Sequence, residues 1–175
     1  LYRWMSKYVS AFLVKADKVR DEVADVIKSK KPVVSIKNGI DFLVFDRGAQ
    51  YPDIRKKMGI ASTSIVVSNV AVLNERKGQN HLIDAVSNLS KEYSIHLLLV
   101  GEGPYEQELK EKVKQKNANE YIHFLGRRGD VNCILANSDI FVLPSYHEGL
   151  PNALIEAMAM GLPCVCTDCL GGGAK

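Results

Sequence analysis

Long apolar runs, strong net charge and abundant cysteine are all missing from this chain of 175 residues. No stretch is long and apolar enough to span a membrane as a helix. The short apolar segment 10–14 is bracketed by Lys7 and Lys15, which argues against a signal peptide. A net charge of +3 is too small to indicate nucleic-acid binding. An apolar content of 46% instead indicates a globular domain with one core.

Cysteine occurs at four positions, and the last three have the spacing C-x-C-x2-C: Cys133, Cys164, Cys166 and Cys169. Such spacing is found in metal sites, but no second group of ligands lies nearby. Segment 162–167 has the pattern of a buried strand, in which free cysteine packs as a small apolar residue. Motifs of the form D-x-D and H-x-x-x-H are also absent. We therefore predict no bound metal and no cofactor, and the free thiols indicate a reducing compartment, the cytoplasm.

Short apolar segments alternate with longer segments of helical periodicity from Ser64 onward. The predicted strands are 64–70, 95–100, 121–124, 139–143 and 163–167, and the predicted helices are 79–89, 105–116, 131–136 and 152–160. This alternation predicts an α/β fold, a Rossmann-like parallel sheet with helices on both faces. Ligands of such sheets bind beyond the carboxyl ends of the strands. Before this region, the pattern predicts a helix at 17–27, a break at 28–32 and a strand at 33–36.

The most informative segment runs from Pro144 to Pro163 and reads P-S-Y-H-E-G-L-P-N-A-L-I-E-A-M-A-M-G-L-P. Glu148 follows a predicted strand, and the amides of Gly149 and Leu150 lie near the N-terminus of the next predicted helix. Free amides and the helix dipole favour an anion there. A carboxylate beside an anion site is useful when the ligand also carries hydroxyls. The pattern therefore indicates a phosphorylated sugar or a nucleotide-sugar as ligand.

A second acid, Glu156, lies eight positions after Glu148 and inside the predicted helix. Eight helical steps would leave the two acids roughly 80° apart, so they are not expected to share a proton. Alternatively, both acids could simply be solvated, Glu148 in a loop and Glu156 on the surface of a helix. However, Glu156 is surrounded by apolar residues, and a charge in such a helix is rarely buried without a partner. We favour separate functional roles for the two acids.

The E-x7-E segment resembles the signature of retaining nucleotide-sugar glycosyltransferases of family 4, which have the GT-B fold. The other marks of that family follow in order: Asn38-Gly39-Ile40-Asp41, Arg76-Lys77-Gly78 with Leu82-Ile83-Asp84-Ala85, Gly101-Glu102-Gly103-Pro104, and Phe124-Leu125-Gly126. The likeness runs from about Pro32 to the last residues. Each short motif is weak alone, whereas the ordered set is specific.

The resemblance implies most of the C-terminal, donor-binding half of a GT-B fold, truncated at both ends. Residues 1–31 would be the tail of the N-terminal domain, 32–41 the interdomain connection and 42–175 a partial nucleotide-sugar-binding domain. The full enzyme would transfer a hexosyl-type sugar from a nucleoside diphosphate to an acceptor hydroxyl with retention at the anomeric carbon. Two alternatives stay open: a nucleotide-sugar-binding fragment that is inactive in isolation, and a sugar-nucleotide epimerase of the same fold.

The resemblance also assigns roles to residues of this chain. Glu148 would meet the donor sugar, with Lys77 and the amides of Gly149 and Leu150 on the departing diphosphate, and Glu156 would hold the ribose hydroxyls. The family usually has an arginine five positions before the lysine, where this chain has Val72. Either Arg76 substitutes for it, or Lys77 acts alone.

Three further positions in turns after predicted strands are candidate donor contacts: Gly101, Gly103 and Leu125. Plain turns explain them equally well. We interpret the histidines at 81, 96 and 123 as structural, and Arg55 and its neighbours as a solvated face. The acceptor would be a sugar, a lipid-linked sugar or a glycan, bound mainly by the missing domain. Peripheral contact of the full-length enzyme with the inner face of the membrane stays open.

Overall fold

A computed structural model describes Trp4, residues 6–28 and residues 30–169. The chain divides into two compact units. The first contains the residues up to Gly39, His147–Asn152 and the residues from Asp168. The second contains Ile40–Tyr146 and Ala153–Thr167. The assignment of domains from the sequence stays a prediction, and its last residues, 170–175, lie outside the described part.

The first unit contains a small β-α-β arrangement. Strand β1 (Phe12–Val14) and strand β2 (Val33–Ser35) are parallel, and helix α1 (Asp17–Ile27) connects them. Val19 and Val23 are half-buried on α1, and Ile27 at its end is buried. The helix ends at Lys28, which adopts the left-handed conformation with φ 47°. A residue in the left-handed conformation commonly follows the last turn of a helix.

The second unit is a parallel sheet of five strands. The strands are β3 (Ile65–Val70), β4 (Ile95–Val100), β5 (Ile122–Phe124), β6 (Ile140–Leu143) and β7 (Cys164–Cys166). They are ordered β5-β4-β3-β6-β7, and each neighbouring pair is parallel. The chain therefore adds strands on one side of β3 and then returns to its other side. This is the order of the Rossmann fold, whose ligand crevice lies at the point of reversal. Here that point lies between β3 and β6.

Helices cover both faces of this sheet. The helices are α2 (Ile54–Lys57), α3 (Gln79–Leu89), α4 (Glu106–Gln115), α5 (Val131–Ala136) and α6 (Asn152–Ala159), with a 3₁₀ turn at Glu75–Lys77. Leu97 and Leu99 of β4 pack into the core formed with α3 and α4, whereas Leu98 packs into the core formed with α2 and α5. Because successive side chains alternate between faces, a strand buried on both sides is apolar throughout.

The predicted α/β fold is confirmed. The bounds predicted for 79–89, 95–100 and 131–136 match those of α3, β4 and α5, and the other predicted elements differ by at most one residue at either end. Two short elements were not predicted, β1 and α2. The interpretation of Arg55 as part of a solvated face is wrong, because its side chain is only 20% exposed.

Arg55 joins the amino ends of β3 and β6. Its guanidinium lies 2.8 Å from the Asp139 carboxylate and donates to the backbone oxygens of Asn137 and Ser64 at 2.8 and 3.2 Å. Asp139 also accepts from the Val66 amide at 2.7 Å. These charge-assisted bonds hold the starts of the two strands together, so Arg55 is a structural residue.

We expect Arg55→Ala to lower the free energy of unfolding by about 2 kcal/mol, because it removes three polar contacts of a mostly buried cation. Urea denaturation measures this change. Lys56→Ala is the matched control, since Lys56 is exposed on the same helix, and its effect should stay within about 0.5 kcal/mol. Equal effects of the two variants would contradict the structural role.

His96 and His123 stack across β4 and β5, with ring centroids 5.3 Å apart and Nδ1 of His96 3.0 Å from Nε2 of His123. Burial lowers the pKa of both imidazoles from the ordinary 6.5, and the neighbouring His96 lowers that of His123 further. The unfolded chain therefore takes up protons at a higher pH than the folded chain.

The free energy of unfolding should consequently fall as the pH drops below about 6.5. We expect His123→Gln to show a shallower fall, because it removes one low-pKa imidazole and the repulsion between the pair. Urea denaturation at several pH values between 5 and 7.5 measures this, with His147→Gln as the control for loss of a histidine outside the pair. Parallel pH curves for wild type and His123→Gln would contradict the assignment.

Candidate functional site

The carboxyl ends of the strands in the second unit carry most of the predicted site residues. The turn after β3 contains Arg76 and Lys77, and the turn after β4 contains Gly101 and Gly103. Leu125 follows β5 directly. Parallel strands end at the same edge of a sheet, so these turns are neighbours.

Gly101 and Gly103 lie against the backbone that follows β3. A Cβ atom on Gly101 would stand 2.0 Å from the Ala71 oxygen, and one on Gly103 would stand 2.2 Å from the Leu73 oxygen. The Leu73 amide donates to the Glu102 oxygen between them at 3.0 Å. Close backbone packing therefore requires glycine at both positions, whether or not a ligand also approaches.

Gly78 brings the turn after β3 against the segment after β6. Its φ is +67°, and a Cβ atom there would lie 2.1 Å from the Pro144 oxygen. The Tyr146 amide donates to the Arg76 oxygen at 2.8 Å. The Tyr146 hydroxyl is also hydrogen-bonded to Nε2 of His81, in the first turn of α3. The structure thus joins the two turns that flank the reversal point of the sheet.

Lys77 is half-buried at the end of the 3₁₀ turn, immediately before Gly78. Arg76 is exposed beside it. Val72, which occupies the position of the family's usual arginine, is 55% exposed, and its backbone oxygen accepts from Nε2 of Gln79 at 3.1 Å. The turn therefore offers two adjacent cations, one exposed and one half-buried.

Leu125 lies in a turn that is tied to the turn after β4. The Leu125 amide donates to Leu99 at 2.9 Å, and the Gly101 amide donates to the Gly126 oxygen at 2.8 Å. The Glu102 carboxylate accepts from the Arg127 amide at 3.3 Å. These bonds fix the backbone of the turn that contains Leu125, one of the candidate donor contacts.

Glu156 lies on α6, which packs into the core through Leu154 and Ala157. Its carboxyl group is half-buried, and burial raises its pKa above the ordinary value. Within the described part of the chain, no hydrogen bond or ion pair engages this carboxylate. A half-buried acid without a partner is unusual and is typical of ligand sites.

Glu148, Gly149 and Leu150 belong to the first unit. Gly149 and Leu150 line an apolar cavity of about 390 Å³ together with β1 and the start of α1. Among the described residues, no atom would lie within 4 Å of a Cβ on Gly149, so packing does not require this glycine. In the same unit, the Asn38 amide donates to the side-chain oxygen of Asn152.

Three residues of the site were not predicted from the sequence. Tyr146 lies inside the quoted motif, but nothing in the motif indicates its partner His81, 65 positions away. Asn69 is fully buried at the end of β3, and its Nδ2 donates to the Val142 oxygen at 2.8 Å. A polar residue within the apolar segment 65–70 was the available signal for Asn69. Among the described residues, no group of three His, Cys, Asp or Glu side chains could hold a metal ion.

These features define a Rossmann-like α/β protein whose strand order reverses between β3 and β6. Residues 50–175 match the family "Glycosyl transferases group 1", and the chain belongs to that family. It is 37% identical over 134 residues to EpsF of Bacillus subtilis, which is named as a glycosyltransferase; the match covers 75% of this chain and 35% of EpsF.

A second relative is a UDP-Gal:alpha-D-GlcNAc-diphosphoundecaprenol alpha-1,3-galactosyltransferase of Escherichia coli, 26% identical over 98% of this chain and 47% of its own length. The chain thus spans less than half the length of both relatives. In the described part of the structure, the helices are too short or too polar to cross a membrane.

Solved structures share the fold. Anabaena Alr3699/HepE, crystallised with UDP and glucose, has a TM-score of 0.84 at 22% identity, covering 95% of this chain and 46% of that one. A glycosyltransferase from Rickettsia africae has the same TM-score at 21% identity, covering 98% and 49%. The chain therefore has the size and fold of half of a GT-B glycosyltransferase.

We expect Gly78→Ala to lower the free energy of unfolding by about 3 kcal/mol, because a Cβ would be strained at positive φ and would collide with a backbone oxygen. Urea denaturation measures this change. Gly129→Ala is the control, since a Cβ there has no described neighbour within 4 Å; a similar loss in both variants would contradict the close packing of the two turns.

Proposed function

We propose that this chain supplies the donor site of a retaining glycosyltransferase that uses a nucleoside-diphosphate sugar. One observation carries the proposal: the turns after β3 and β6 are joined at the reversal point of the sheet, beside two adjacent cations. Open parallel sheets bind nucleotides at such points. Membership of the glycosyltransferase family supports the reaction class.

The diphosphate contact is proposed for Lys77, with Arg76 as its exposed neighbour. A lysine acts on phosphate as a flexible point charge, so a half-buried one beside a glycine turn is suited to this role. The backbone at Leu125 is proposed to contact the base. Gly101 and Gly103 would allow the ligand to approach the backbone closely, in addition to their packing role.

Glu156 is proposed to hold the ribose hydroxyls. Its carboxylate is half-buried and has no partner in the described residues, so two hydroxyl donors would satisfy acceptors that the chain leaves unmatched. Burial without a partner also destabilises the free protein. Binding sites often contain an acid that is needed for function although it lowers the stability of the free protein.

Glu148, Gly149 and Leu150 are proposed to act at the reacting end of the donor. Glu148 would meet the sugar, while the two amides and Lys77 would stabilise the charge that develops on the departing diphosphate. Attack from the same face, with the leaving phosphate taking the acceptor proton, requires no protein nucleophile. No described atom lies within 4 Å of a Cβ placed on Gly149, which supports an approach of the ligand to that amide.

Uridine diphosphate is the first ligand to test. Anabaena HepE was crystallised with UDP and with UDP-glucose, and the E. coli relative is named for a UDP-sugar. We propose a sugar, lipid-linked sugar or glycan as acceptor and the cytoplasm as location, with peripheral membrane contact of the full-length enzyme left open. The family match lends no support to the epimerase alternative.

Calorimetric titration of the chain with UDP, GDP and ADP tests the donor site. We expect saturable binding of one nucleotide, weakened about tenfold or more in Glu156→Gln and in Lys77→Ala, because each variant removes a charged contact. Lys91→Ala, an exposed lysine outside the site, should bind as the wild type does.

Glu156→Gln should at the same time raise the melting temperature by about 2 °C, since it removes a desolvated charge. If Glu156→Gln is more stable than the wild type but binds the nucleotide less tightly, Glu156 is a ligand residue. Replacing a structural residue would instead lower the stability. Binding of no nucleotide by a folded chain, or equal binding by Glu156→Gln, would contradict the assignment of Glu156.

A second candidate is a binding module that has no activity by itself, and the chain's span of less than half of the relatives named above favours it. Catalysis in a two-domain cleft requires closure of both domains. Measuring sugar release from UDP-glucose by this chain and by the full-length protein distinguishes the two. Turnover by the full-length protein alone supports the binding module.

A further inference from the structure

We propose that Tyr146 and His81 are positioning residues that fix the segment leading to Glu148 against the turn that carries Lys77. The proposal rests on the donor-site function proposed above and adds a pair of residues to it. The family likeness assigned a ligand contact to neither side chain, although Tyr146 lies inside the segment 144–163.

The geometry of the pair is specific. The Tyr146 hydroxyl is hydrogen-bonded to Nε2 of His81, and the two rings meet edge to face, with centroids 5.8 Å apart and an interplanar angle of 90°. The same residue, Tyr146, donates its backbone amide to the Arg76 oxygen at 2.8 Å. Tyr146 is therefore held at both its backbone and its side chain by the region 76–81.

The pair completes a set of contacts that surrounds Lys77 in sequence. The backbone oxygen of Arg76, the residue before Lys77, accepts from the Tyr146 amide. Gly78, the residue after Lys77, lies so close to the Pro144 oxygen that there is no room for a Cβ atom. His81 adds a third contact one helical turn further. The backbone contacts fix the distance between segment 144–146 and the turn 76–78. The Tyr146–His81 pair restrains rotation of segment 144–146 about these contacts.

Burial does not explain the pair. Tyr146 is 51% exposed and His81 is exposed, so their hydrogen bond competes with water and adds little to folding. What the bond can do is restrict the last residue of the second unit before His147 and Glu148. An error of about 1 Å in the placement of a reacting group is enough to slow catalysis strongly.

The test uses the full-length protein and the variants Tyr146→Phe, His81→Ala and the double variant. Tyr93→Phe is the matched control, because Tyr93 is 52% exposed and lies four residues after the end of α3, away from His81. Amide hydrogen exchange of residues 145–150 reports the positioning directly. UDP titration and UDP release from UDP-glucose report binding and turnover separately.

In Tyr146→Phe we expect exchange in residues 145–150 to be about tenfold faster and UDP release about tenfold slower, with UDP affinity changed less than about twofold. The melting temperature should stay unchanged. The double variant should be no worse than either single one, and His81→Gln, which retains a hydrogen-bonding group, should recover most of the loss.

Exchange and turnover in Tyr146→Phe that match Tyr93→Phe would overturn the inference, as would losses in the two single variants that add up in the double one. Failure of the donor-site proposal looks different: wild type would neither bind UDP nor release it from UDP-glucose. Hydrogen exchange would still decide whether the pair positions the segment.

Discussion

The carboxyl edge of the second unit depends on how two neighbouring parallel strands, β3 and β6, pair with each other. β3 pairs with β4 at six positions but with β6 at two, Val67 with Ile140 and Ser68 with Phe141. One residue further, the side chain of Asn69 spans the gap to the Val142 oxygen in place of a backbone bond. Beyond these strands, Gly78 packs against the Pro144 oxygen and the Tyr146 amide donates to the Arg76 oxygen, so the two turns are joined directly. The Arg55–Asp139 pair holds the opposite ends of the same strands together.

Close backbone packing is the second constraint, and it changes what the glycines signify. Gly78, Gly101 and Gly103 each approach a backbone oxygen so closely that a side chain is excluded. Their identity is explained by the fold alone, and it is therefore poor evidence for a ligand. Gly149 differs, since nothing described lies near its missing Cβ. The proposed nucleotide site is accordingly supported by charge and by the strand order of the sheet, namely by Lys77, Glu156 and the reversal point.

Most of the second unit could be predicted because its strands are mostly apolar and its helices show a clear period, as in 79–89. The helix α2 was missed because four residues are too few to show a period, although Asp53, whose carboxylate accepts from the Lys56 amide, is a typical helix start. Arg55 was misinterpreted because its partners Asn137 and Asp139 lie more than 80 positions away. The contact of Tyr146 with His81 could not be predicted for the same reason. Sequence patterns report local periodicity and motif order, whereas pairing of distant polar side chains depends on the strand order that the fold establishes.

Glu156 contrasts with Asp84 and Asp130, two other carboxylates of the second unit. Asp84 lies 2.6 Å from Lys112 and 2.8 Å from Lys116, and Asp130 lies 2.8 Å from Arg128. These acids are at least 40% exposed and still have partners, and the nearby cations lower their pKa values against the opposing effect of burial. Glu156 is also partly buried, but its pKa is raised and no cation offsets the loss of water. An acid that is half-buried and unmatched among the described residues costs stability, which favours a role in ligand binding for it. A ligand with neighbouring hydroxyls would supply the missing hydrogen bonds, and a ribose is such a ligand.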